Sequence, residues 1–160
     1  MSNKLIDYKT TTMKKDKIIY WSTTGLVGFM MLFSAYSYLT NPQMAGAFKH
    51  LGFPNYFRIE LAIAKILGAT VLLTPLIPTK IKEWAYVGFA ITFISASIAH
   101  TSSGDTAAMI ITPLVFLSIL IVSNIYLHKI NAAKNVLINL VRDTKESKAL
   151  KTGRPEFSQS

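Results

Sequence analysis

The chain has 160 residues and no cysteine. That excludes disulfides, thiolate-held metals and any dithiol redox couple. Acidic residues are also scarce, 8 against 17 Lys and Arg, for a formal charge of +9. The positive charge is not spread over a surface. Five Lys precede Ile18, Lys80 and Lys82 share one loop, and seven Lys or Arg lie from Lys129 onward, leaving only Lys49, Arg58 and Lys65 elsewhere. The runs between are almost free of charge. A basic tail can be mistaken for a nucleic-acid footprint, but cations flanking long apolar runs are the pattern of a membrane protein, and no nucleic-acid partner is expected. Glycine-rich phosphate loops and metal-ligand spacings are absent as well, so no catalytic motif supports an enzyme standing alone.

What is present is a set of four hydrophobic spans, at about 18–40, 57–77, 84–102 and 107–127. The first, 23 residues or about 34 Å of helix, exceeds a hydrocarbon core of about 30 Å. Ala35-Tyr36-Ser37 loosely fits a signal-peptide cleavage site, but the run is longer than a typical signal core and three more spans follow it. Residues 1–17 have no periodic apolar face and read as a basic, mostly unstructured tail. From 129 to 160, Ile130, Ala133, Val136, Leu137, Leu140 and Val141 recur at helical spacing opposite Lys134, Asn139, Arg142 and Lys145. This predicts a basic amphipathic helix on the inner leaflet, or a plain extension of the last span, with a disordered end from Lys151.

The connections carry turn chemistry. Asn41-Pro42 closes the first span, and Met44, Ala45, Phe48 and Leu51 then share one face of a short interfacial helix that Gly52 stops. Pro75, Pro78 and a loop at 79–83 turn the chain into the third span, and Thr101–Thr106 (TSSGDT) turns it into the fourth. The positive-inside rule puts both termini on the cytoplasmic side of the cell membrane. Tyr20, Trp21, Trp84, Tyr86 and Tyr126 then fall at the inner ends of spans, and Tyr38 and Tyr56 at the outer ends, as interfacial belts. Gly25, Gly28, Gly68, Ala69 and Gly88 are small enough to let helices approach closely.

The second span opens FRIELAIAK, and a charge at membrane depth costs about 2.5–3.5 kcal/mol on insertion scales. Glu60 and Lys65 are five residues apart, about 140° around the helix, so each needs a partner from another helix. His100 is expected at the depth of Glu60, and Tyr36 and Thr112 face the same outer half. Thr112 precedes Pro113, whose missing N–H frees the carbonyl of Met109 for a neighbouring hydroxyl. Glu60, Lys65, His100, Tyr36 and Thr112 are therefore the expected polar cluster, either a packing network or a ligand site. No metal site is expected, and His50 in a loop, His100 outside and His128 inside leave no pair to ligate a haem iron.

The stretch FKHLGFPNYFRIELAIAKILGA, followed by ISASIAHTSSGD at the end of the third span, resembles the DoxX-like family of small membrane proteins, over about residues 17–129. The resemblance implies a four-helix membrane domain. Some relatives are subunits of thiosulfate:quinone oxidoreductase or partners in oxidative-stress complexes, so it also implies quinone-linked redox work, with a quinone as ligand and a redox protein as partner. The residues themselves show no redox centre. The expected protein is all-α and polytopic: tail 1–17, transmembrane domain 18–128, and C-terminal region 129–160. Its expected role is an accessory, ligand-binding membrane component, with a quinone-linked oxidoreductase subunit or a small transporter or proton conductor as alternatives.

Overall fold

The structure, a computed structural model, describes the backbone of residues 2–152 and the side chains of residues 10–147. Five helices follow one another: α1 (Ser2–Thr40), α2 (Gln43–His50), α3 (Asn55–Leu73), α4 (Thr79–Ser102) and α5 (Ala107–Thr152). No strand occurs among the described residues.

The helix ends follow local chemistry. Asn41 Oδ1 accepts the Gln43 N–H at 3.0 Å between α1 and α2. At the end of α2, Gly52 takes φ +80°, its N–H reaches the Lys49 carbonyl, and the Phe53 N–H reaches the Phe48 carbonyl. This is a Schellman close, completed by the Phe48–Phe53 ring contact at 6.2 Å. The end of α4 repeats it, with Gly104 at φ +70°, Gly104 N–H on Thr101 and Asp105 N–H on His100. In both, a glycine supplies a conformation that a Cβ disfavours.

Several boundaries differ from the expected ones. The second span ends at Leu73 rather than near residue 77, because Pro75 drives Thr74 into the extended region at ψ 118°. The third begins at Thr79, so residues 79–83 are the first turn of α4 and not a loop. The N-terminal tail also departs from expectation, since residues 2–17 are part of α1. The described C-terminal residues continue α5 without a break, the plain extension that was one of the two forms expected of them. No glycine or proline lies between Ser2 and Gly25, or between Pro113 and Gly153. An existing helix propagates through such sequence without a new nucleation cost. The expected disorder at 151–160 falls outside the described residues, apart from the helical Lys151 and Thr152.

Residues 19–125 form one compact unit, and the described parts of α1 and α5 beyond them form another. In the larger unit Val27, Ala35, Ala62, Ala69 and Leu72 are fully buried. Large apolar side chains also face outward on every long helix, among them Phe29, Phe33, Ile63, Leu67, Ile91, Ile98 and Ile111. A water-soluble surface does not carry such a coat; a lipid-facing one does. Among the described residues, three helices are long and apolar enough to cross a membrane: residues Thr10–Thr40, Thr79–Ser102 and Ala107–Ser147. α3 has 19 residues, but every 18-residue stretch of it holds Arg58, Glu60 and Lys65.

Two glycines allow close approach. A Cβ on Gly28 would lie 2.8 Å from Leu73 Cγ, and one on Gly68 2.8 Å from Phe89 Cζ. Gly25 and Gly88, expected to do the same, meet nothing within 4 Å.

Candidate ligand-binding site

Ser34 and Tyr38 are four residues apart and so share one face of α1. Phe57, Leu61 and Lys65 recur every fourth residue on α3 and share another. These faces meet α4 and α5 around a cavity of about 710 Å³, to which α2 and the turn after it add Phe48, Leu51 and Phe53. Phe48 packs edge-on against Tyr38 (4.9 Å), and Phe53 stacks on Phe57 (5.0 Å), so one end of the cavity is roofed by aromatic rings. Phe93 stacks on Phe116 at 6.1 Å in the wall.

Lys65 is the one Lys or Arg in this lining. It is 5% exposed, donates to Ser34 Oγ at 2.8 Å, and sits 3.9 Å from the centroid of the Tyr38 ring. A cation over an aromatic face is favoured where water is excluded.

The other expected residues are placed differently. Tyr36 is 65% exposed, since it lies about 200° around the helix from Tyr38, which occupies the position expected for it. Glu60 is exposed and makes no hydrogen bond or ion pair among the described residues. Thr112 borders the cavity, but its hydroxyl donates to the Ala108 carbonyl of its own helix at 2.7 Å. Ser97 supplies the hydroxyl expected near Pro113, and it reaches Ile110 rather than Met109, at 3.0 Å. Arg58 bonds Asn55 and the carbonyl of Tyr38, capping the end of α1.

His100 lines the cavity, yet its partner is not Glu60. Its Nδ1 is 2.7 Å from Asp105 Oδ2, and His50 Nε2 is 2.8 Å from Asp105 Oδ1. One carboxylate thus ties the end of α2 to the turn between α4 and α5. Bonding first to His100 and then to His50 holds the Asp105 carboxyl below its ordinary 3.8. From the sequence alone Asp105 is turn chemistry, and His50 in its loop lies apart from His100. The structure sets both histidines on one carboxylate, and among the described residues no group of three or more His, Cys, Asp or Glu is placed to hold a metal ion.

A second polar group lies toward the far end of the same unit, and sequence reasoning missed it. Lys82, expected in a loop, is 4% exposed and donates to Tyr20 Oη at 3.1 Å and to the Leu72 carbonyl at 3.2 Å. One turn along α1 from Tyr20, Thr24 shares a 2.5 Å hydrogen bond with Ser123, which also meets Tyr86 Oη at 2.6 Å. Tyr20 and Tyr86 are therefore internal, not belt residues. Trp84, 79% exposed, keeps the outward place expected of it.

The arrangement is thus a helical membrane-type protein with an aromatic-roofed cavity between its helices and a buried lysine in its wall. The DoxX-like family model matches residues 22–123, and the chain belongs to the DoxX-like family. No curated protein and no solved structure matches it.

Proposed function

We propose that the protein is an accessory, non-catalytic component of the cell membrane that holds a small amphipathic molecule in this cavity. The observation that carries the reading is Lys65, a buried amine in the wall of an otherwise largely apolar space. Intramembrane ionisable residues facing an interior are the usual mark of a site. A volume of about 710 Å³ falls in the range of small-molecule pockets.

In this reading α1, α3, α4 and α5 form a four-helix transmembrane bundle with both termini in the cytoplasm. α3 is read as the fourth span because Ile59, Ile63, Ile66 and Leu67 make its exposed side apolar beyond Glu60, which is exposed near the start of the helix, while Lys65 turns inward. Cysteines at Asn55 and Ser103 then label with an impermeant thiol reagent in intact cells, and cysteines at Lys14 and Ser147 label only after permeabilisation. The reverse pattern inverts the orientation.

The ligand reading is tested by isolating the protein from native membranes in mild detergent and identifying what copurifies by mass spectrometry. An amphipathic molecule enriched with the wild type and depleted from Lys65→Met and from the cavity-filling Ala96→Trp supports it. Wild type and variants carrying the same lipids would refute it.

A further inference from the structure

Among the described residues no carboxylate pairs with Lys65. Asp105 pairs with His50 and His100, and Lys65 meets the Ser34 hydroxyl and Tyr38. An ammonium carries three N–H donors. Ser34 accepts one, so donors remain for a group entering the cavity. A buried charge lacking a counter-ion is unfavourable, and an anion delivered by a ligand removes that penalty.

Given the reading above that the cavity holds a ligand, we propose that this ligand is a single-chain anionic amphiphile. Its carboxylate pairs with Lys65 Nζ and its apolar tail lies along Met31, Leu61, Phe93 and Phe116. Met31 is unbranched and polarisable, suiting a wall that accepts a flexible chain. A quinone offers a carbonyl to Lys65 but no charge. A two-chain phospholipid is larger than a drug-sized cavity holds.

The test uses the full chain in nanodiscs of zwitterionic lipid, with 11-(dansylamino)undecanoic acid as fluorescent probe and its methyl ester as the uncharged control. The acid is expected to bind saturably, about tenfold or more tighter than the ester. Lys65→Met should weaken the acid by a similar factor and leave the ester unchanged, while Lys65→Arg retains preference for the acid. Ala96→Trp, with Lys65 intact, should exclude both probes. If Lys65→Met does not fold, the comparison of acid with ester on the wild type decides alone.

Equal binding of acid and ester, or an acid affinity untouched by Lys65→Met in a folded variant, overturns the anionic class and leaves the cavity reading standing. Displacement of the acid by phosphatidylglycerol or decylubiquinone as readily as by undecanoic acid also overturns it. Absence of saturable binding by either probe removes both readings.

Discussion

The Lys82 ammonium donates to the carbonyl of Leu72 at 3.2 Å, closing the end of α3 from the first turn of α4. That carbonyl lies in the last turn of its helix, where no intrahelical N–H follows, and a cation there satisfies it and meets the negative end of the helix dipole. Lys82→Met removes the donor for Leu72 and for the Tyr20 hydroxyl together. The expected loss is about 1–3 kcal/mol of stability, read as a lower midpoint of thermal unfolding in detergent. An unchanged midpoint would show that the turn holds without it.

Thr24, Tyr86 and Ser123 should behave as one unit. Ser123→Ala leaves two buried hydroxyls short of a partner, and Thr24→Val alone strands Ser123 in part. The double variant should cost less than the sum of the two, by about 0.5 kcal/mol or more. Strict additivity in a thermal double-mutant cycle would mean that the 2.5 Å contact carries no coupling.

Gly68→Ala pushes a methyl into Phe89 Cζ, and an aromatic ring end cannot bend away. Overpacking of this kind costs about 1–3 kcal/mol. Gly88→Ala, into open space, should be neutral or slightly stabilising through helix propensity. Comparing the two unfolding midpoints checks the asymmetry. Equal effects would show that Phe89 yields.

Asp105 gives a pH dependence of definite sign. Its folded-state pKa lies below the ordinary 3.8, so its contribution is complete above that value and is lost as pH falls through the lower folded one. Unfolding midpoints of the wild type should decline in that acid window, and those of Asp105→Asn should decline less. Parallel curves would remove Asp105 from the acid response.

Much of the helical order was legible because it rests on local physics. Gly52 stops α2, and the face of Met44, Ala45, Phe48 and Leu51 that turns inward followed from spacing alone. The inward turn of Lys65 agrees with the penalty on a lipid-facing charge, yet Glu60, under the same penalty near the start of α3, faces outward. The partners of Lys65 were not legible, since only the packing phase of α1 decides between Tyr36 and Tyr38. The pairing of His50 and His100 on Asp105 joins residues 55 positions apart, a relation that no local pattern encodes. Lys82 was misplaced because two prolines nearby suggested a longer loop, whereas the helix restarts directly after Pro78.

The hydroxyl knot of Thr24, Tyr86 and Ser123 also decides what kind of space the interior is. Between it and the cavity, Val27, Phe89 and Leu120 fill the section at 5% exposure or less. The hollow is therefore floored by packed apolar side chains, while Ile91 and Ile98 in its lining stay more than half exposed. Whatever occupies it rests on that floor and is kept from the hydroxyls beneath.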